Sequence, residues 1–482
     1  MSMSSALNNA VTGLTTNARM AEVVSSNLSN VMTDGYGRRS VELSSVQVGG
    51  RGGGVRIDAI NRFVDAGLLA DRRLADASLS GQDRSATMVV RLEQAIGGPD
   101  DAAGLGARLA EFERALISAS SDPASETRLA SVVSRLQDVA DTLQSNTKSI
   151  QSLRQEADGS IARDIDVLNA ALKQVATLNA DILRIKGSGD DPSALLDARQ
   201  RAVDQIAKIV PIREIPRDNG TIALQTTRGT PLLESRPVEF GFQRTPTITA
   251  DMTLAGGALG VITIDGDIVD AATGIGRLDG GSLGAAFALR DKTLVESQES
   301  LDLIAADLIA RFQDTANDPS LTAGDLGLLT DEGGGLDLAD LPGLAGRIAL
   351  NPLIAPANGG NAALLRDGLN AAVPGPSGDA TQLNRWIAAL GAPRADVPGT
   401  AAQSASGRIA SFVSEVGSTR LLAQEQLSFT SARWETLRET ELADGVDTDV
   451  ELQTLLQIEQ AYAANAKVIQ TVDFMMQRLM EL

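Results

Sequence analysis

Carboxylates and glycine-rich turns are the groups in this chain whose types and spacing could do chemistry, because its 482 residues include no His and no Cys. That absence excludes His-based triads, thiol catalysis and zinc sites built on His or Cys ligands. It also excludes disulfides, so bridges place no constraint on the redox compartment. Asp265-x-Asp267 has the opening spacing of a calcium loop. It lacks the third oxygen ligand and the distal Glu, and reads as a turn. Asp164-x-Asp166 falls in a helical pattern, where side chains two apart do not converge. Gly274-x-Gly276 is followed by Gly280, the wrong spacing for a dinucleotide loop, and no Gly-Lys-Ser/Thr phosphate loop occurs. The run from Gly49 to Gly54 reads as a hinge rather than a ligand loop. The remaining acidic pairs read as solvated faces of a chain with net charge −20, a balance that also argues against nucleic acid. No catalytic, cofactor-binding or metal-ligating residue is assigned.

The informative side chains are apolar. From Asp447 onward there is no Pro, and Leu455, Ile458, Tyr462, Ile469, Val472, Met476 and Leu479 recur at steps of three and four, with Asn465 the polar member. This is a heptad seam on one helix. Asp447 can cap it, and Asp449 and Glu451 lie near the positive end of its dipole. Near the start of the chain Leu7, Val11, Leu14, Ala18, Ala21 and Leu28 keep the same step, with Ser25 the polar break. The matching stripes predict a terminal coiled coil with everything else inserted between. The alternative is two unrelated amphipathic helices, each packed on its own domain.

Between these ends the pattern predicts nested layers. The first helix covers 4–32 and ends in the turn cluster Thr33-Asp34-Gly35-Tyr36-Gly37. Residues 38–48 and 55–60 read as extended, and 61–96 as helix. Asp122-Pro123 opens a long helical pattern interrupted at Gly159, and Asp191-Pro192 opens another that stops at Pro211. Residues 211–283 are rich in Thr, Val, Ile and Gly, with hairpin turns at Asn219-Gly220 and Asp265-Gly266. Helix returns over 281–312 and 405–442, and 318–402 reads as loops with short helices. The expected fold is mainly α with a β-rich insertion. A terminal coiled-coil unit (1–48 with 443–482) encloses a long-helix bundle (49–210 with 284–442), which encloses a small β domain (211–283). Aromatics are only 3%, so the cores must be built from Ala, Leu, Ile and Val. No apolar run of membrane-spanning length occurs, and the N-terminus lacks the basic start and apolar core of a Sec-type leader.

The segment around Asn27, Leu28, Asn30, Thr33, Gly35, Tyr36 and Arg38 resembles the N-terminal signature of bacterial flagellar rod, hook and hook-associated proteins, with Ser26 replacing the first Asn of the usual pair. Gln460 to Asp473, containing Asn465, resembles the matching C-terminal signature. Within that group, Ala194-Leu-Leu-Asp-Ala-Arg-Gln, Gly280-Gly-Ser-Leu-Gly-Ala-Ala-Phe-Ala-Leu-Arg-Asp and Leu365-Arg-Asp-Gly look like the hook-associated protein 1 family. The family's usual His-containing loop is replaced by Phe312 to Asp325. The resemblance implies a structural subunit without catalysis or cofactor, found at the hook–filament junction outside the cell. Such subunits form a homo-oligomeric ring between hook protein on one side and a second hook-associated protein and the filament on the other. It further implies export through the flagellar type III apparatus without leader cleavage, and a chaperone on the C-terminal helix before export. Three other readings stay open. One is another axial subunit of hook or rod type. Another is a binding protein whose termini pair within one molecule. The third is an enzyme hosted on the β insertion, which would need a pocket with converging polar groups.

Overall fold

The computed structural model describes residues 3–48, 51–98, 100–395 and 401–480. The chain opens with α1 (Met3–Ser29), followed by the antiparallel hairpin β1 (Arg38–Val48) and β2 (Arg51–Phe63). Of the glycine run expected as a hinge, Gly49 and Gly50 lie outside the described residues, and 52–54 belong to β2. The helix expected from 61 begins instead at Ala66, because 61–63 pair with 38–40 across the hairpin. Asp65 caps it, accepting from the N–H groups of Gly67 and Leu68. The unit border expected at 48 falls between the two paired strands, and the pairing carries the same layer on to Phe63.

The bundle comprises α2 (Ala66–Ile96), α3 (Leu105–Ser121), α4 (Glu126–Ser188) and α5 (Ser193–Ile209). It continues with α6 (Gly281–Ala288), a π turn over 289–293, α7 (Leu294–Gln313) and α11 (Ala405–Ala443). At 63 residues, α4 is about 95 Å long. Its cap is Ser125 rather than Asp122, and it runs unbroken through Gly159. A helical Gly costs about 1 kcal/mol, but the flanking Ala157, Asp158, Ser160 and Ile161 are all buried. Asp158 also accepts from Arg290 at 2.7 Å and from the Thr245 N–H at 2.9 Å. Packing therefore outweighs the local penalty.

The middle carries β3 (Ile212–Pro216), β4 (Ile222–Thr226) and β5 (Pro231–Leu233) in one antiparallel sheet. A second sheet holds β6 (Phe240–Phe242), β7 (Ile262–Ile264) and β8 (Asp267–Ile268). Both expected hairpin turns are present, with positive φ at Gly220, Asp265 and Gly266. Short pieces follow: β9 (Leu329–Asp331), α8 (Leu344–Arg347), β10 (Ile348–Leu350), α9 (Leu364–Asp367) and α10 (Thr381–Gly391). Buried charges hold these loops in place. Arg311 donates to the carbonyl oxygens of Ala389, Ala392 and Gln403, and Asp302 accepts from the N–H groups of Gly343 and Ala345. The chain closes with α12 (Thr448–Met480).

Two apolar cores share α4 as a spine. Its N-terminal half packs with α2, α3, α7 and the start of α11, around the edge-on rings Phe112, Phe312 and Trp386. Its C-terminal half, from Ile161 to Val175, packs with α5, with strand residues such as Leu224, Phe240 and Ile262, and with Leu283 and Phe287. The strands of 211–283 thus complete their core with helices on either side in sequence. The fold is mainly α with small sheets and long terminal helices.

Candidate assembly surface

Two surfaces organise the ends of the chain. The first is the corner where α1 turns into β1. Asn27, fully buried, accepts at Oδ1 from the Arg39 N–H (3.0 Å) and from Tyr36 Oη (2.9 Å), and donates from Nδ2 to the Arg39 carbonyl (2.8 Å). Asn30 Nδ2 donates to the Ser26 carbonyl, and Thr33 donates to Asn30 Oδ1. Gly35 takes φ +74°, and a Cβ there would stand 2.8 Å from Cγ of Arg201 on α5. Only glycine allows that conformation and that approach at once. Burial raises the Tyr36 phenol, against the hydrogen bond from Ser26 and the nearby Arg39, whose guanidinium lies over its ring at 4.9 Å.

This corner docks on one face of α5. Asp197, 4% exposed, accepts from Arg39 (2.7 Å), Arg62 (2.7 Å) and the Gly37 N–H (3.1 Å). Gln200 accepts from Arg62. Asp204, two turns further along α5, takes Arg72 and Arg73 of α2, each at 2.7 Å. Arg72 also meets Asp76 (2.5 Å) and Glu441 (2.6 Å), the latter an ion pair without hydrogen-bond alignment. Trp434 Nε1 donates to Asp76. Burial pushes up the Asp76 and Glu441 carboxyls, with Arg72 opposing in each case. One helix face therefore joins the terminal corner, the hairpin and the α2–α11 pair. In the sequence Asp197 lies inside a family motif that gives it no role, and Glu451 reads as a residue near the helix dipole. Glu451 is 1% exposed and accepts from Arg38 at 2.7 Å. Its place one helical step before Leu455 on the heptad seam was the available clue.

The second surface is the terminal pair itself. The Asn465 side chain fills the space over Gly13, while Ala18 and Ala21 face Leu455, Ile458 and Tyr462, so α1 and α12 run antiparallel. On α12, Ile458 and Val472 are buried and Leu455 and Ile469 half-buried, whereas Tyr462, Met476 and Leu479 are exposed. On α1 the buried face is Ala10, Asn17 and Val24. Leu14 and Leu28 are half-buried, and Leu7 (39%) and Val11 (46%) are exposed. Of the stripe expected as the α1 seam, Ala18 and Ala21 thus line the cleft against α12 while Leu7 and Val11 are exposed, and Gly13 lies under Asn465. Among the described residues no cluster of acidic side chains could hold a metal ion, and no helix is long and apolar enough to cross a membrane.

Comparison with known proteins bears on this geometry. Residues 89–327 match the flagellar hook-associated protein FlgK helical domain, and residues 443–482 match the flagellar basal body rod FlgEFG protein C-terminal domain. Flagellar hook-associated protein 1 of Escherichia coli K12 is 24% identical over 313 residues, 63% of this chain and 55% of that protein. The Salmonella typhimurium protein of the same name is 26% identical over 242 residues, 48% of this chain and 43% of that protein. The chain thus spans about half the length of the curated relatives it matches. The solved flagellar hook junction protein FlgK from Burkholderia pseudomallei superposes with a TM-score of 0.59 at 14% identity, over 77% of this chain and 99% of that one, a likeness of fold. With the helical domain and the rod-type C-terminal domain on one chain, this protein belongs to the FlgK family of flagellar hook-associated proteins.

Proposed function

We propose that this chain is a structural subunit of the bacterial flagellum at the junction of hook and filament, acting without catalysis or cofactor. Copies form a ring, with hook protein on one side and a second hook-associated protein and the filament on the other. The subunit leaves the cell through the flagellar type III apparatus without leader cleavage, and a chaperone covers α12 beforehand. We divide it into a terminal unit of α1, the β1–β2 hairpin and α12, a helical bundle, and an outer β unit. The observation that carries the reading is the uncovered apolar surface of the terminal pair. Leu7, Val11, Phe474, Met476 and Leu479 stand exposed on two helices that already pack together. Apolar surface of this extent marks an interaction site, and each Leu or Ile anchor contributes roughly 1.5–3 kcal/mol when fully buried. Burial against neighbouring copies then drives subunit addition and orders the helix ends.

The test is deletion of the gene followed by electron microscopy. Cells should build hooks and release filament protein into the medium, and the full-length gene should restore attached filaments. Deleted cells that keep attached filaments and swim normally would overturn the reading.

A further inference from the structure

A buried amide on the terminal pair lacks a partner. Asn17 is 6% exposed, and its Nδ2 meets no acceptor among the described residues. Asn9, two turns earlier on the same helix, has an equally unpaired Oδ1. A buried polar atom without a partner is costly, and native structures rarely keep one without a reason. Asn17 lines a cleft of about 330 Å³, whose other walls are Ala18 and Ala21 from α1 and Leu455, Glu459 and Tyr462 from α12. The cleft is apolar apart from that amide and the Glu459 carboxylate. Its shape is the open side of a two-helix seam that a third helix would close.

The chain carries a helix with the complementary groups. On α12, Leu452, Leu456 and Phe474 are 45%, 59% and 58% exposed. At about 100° per residue, Lys467 and Gln470 fall within about 40° of the line from Leu456 to Phe474. Glu459 and Lys467 form no ion pair among the described residues. If copies are arranged about one axis their α12 helices run parallel. Setting Lys467 of one copy on Glu459 of the next then offsets the two helices by about 12 Å. Gly13 opposes Asn465 in an antiparallel pair, so Asn17 is level with residue 461. With that offset, Gln470 of the second copy arrives beside Asn17.

We propose that α12 of a second copy docks in this cleft, with its Lys467 on Glu459 and its Gln470 amide on Asn17, so that one buried amide sets the register between copies. The proposal rests on the polymerising role given above and names the contact that role would use. A polar residue at a single seam position fixes register because every other alignment leaves it unpaired.

Charge exchange tests it in the bacterium that carries the gene. Glu459→Lys and Lys467→Glu should each reduce filament retention at least tenfold, and the double variant should restore it to within twofold. Circular dichroism of the purified chains should show unchanged helix content. Single variants that keep their filaments, or a double variant no better than the singles, would overturn the contact. A covalent test needs no charge change. Because the chain has no Cys, Ala18→Cys with Gln470→Cys in isolated flagella should give a ladder of dimers and higher species with a short bismaleimide. These positions lie too far apart along their own pair to join within one copy, so a monomer band alone would refute the docking. Loss of filaments on gene deletion, together with inert charge variants, would sink this contact and leave the junction role standing. Attached filaments after deletion would sink both.

Discussion

Replacing Asp197 with Ala should release the terminal corner from the bundle. The carboxylate is 4% exposed and receives two guanidinium groups and a backbone N–H, all within 3.1 Å. Removing one partner of a buried ion pair costs about 3–5 kcal/mol, because the opposite charge stays buried. Arg62 would retain the Gly35 carbonyl and Gln200, and the Arg39 and Arg62 side chains are 16% and 13% exposed. Both facts point to the lower end, about 3 kcal/mol. At about 1.4 kcal/mol per tenfold, that is roughly two decades in a local opening equilibrium. Amide hydrogen exchange read by mass spectrometry resolves it. Protection of 38–63 should fall about a hundredfold, while α3 and the N-terminal half of α4, which belong to the first core, stay unchanged. Asp197→Asn, which keeps an acceptor but loses the charge, should fall between. Unaltered hairpin protection, or an equal loss throughout the bundle, would refute the reasoning.

Leu455→Asp or Ile469→Asp should abolish incorporation into flagella while the two α4 cores stay folded, as thermal unfolding followed at Trp386 and motility in soft agar can check. Gly281 has φ +61°, and a Cβ there would stand 2.3 Å from the Ile209 carbonyl oxygen. Gly281→Ala should therefore destabilise the α5–α6 junction by more than about 1 kcal/mol, visible in urea titration. Burial raises Asp302 from 3.8 to about 6, against the N–H groups of Ala345 and Gly343 and the Gln298 amide. Its folded pKa lies above its unfolded one, so this group weakens the fold as pH rises from about 4 through 6 and relieves it on acidification. Because the folded group is only half protonated at pH 6, that contributes about 1 kcal/mol over the unit between pH 6 and 5. The stability difference between the parent and Asp302→Asn should shift in the parent's favour by that amount as pH falls from 6 to 5. A gap that does not change with pH would refute it.

Much of the chain was legible as one dimension. Periodicity of 3.6 is a property of neighbours in sequence, so the helical course of α4, α7, α11 and α12 could be read from spacing. Asn219-Gly220 and Asp265-Gly266 announced hairpins because few residues accept positive φ. The motifs around Asn27 and Asp197 pointed to the family for a related reason, since each is a local run of residues with its own strict geometry. Helix starts were less legible. Asp65 and Ser125 cap where pairing and packing end the preceding segment, while the pattern suggested 61 and Asp122.

Tertiary structure alone decided what depends on residues far apart. Gly159 stays helical because Asp158 meets Arg290 across the molecule, a contact more than a hundred residues away in sequence. Asp197 and Glu451 became buried acceptors because Arg39, Arg62 and Arg38 were folded onto them. The α1 stripe from Leu7 to Leu28 was correct as a helical pattern, yet a heptad does not say which of its flanks a partner will cover. On α1 the Asn465 side chain of α12 occupies the space over Gly13, Ala10, Asn17 and Val24 are buried, and Leu7 and Val11 stay open. Spacing sets what a helix can offer; which part is used depends on where two backbones can come nearest.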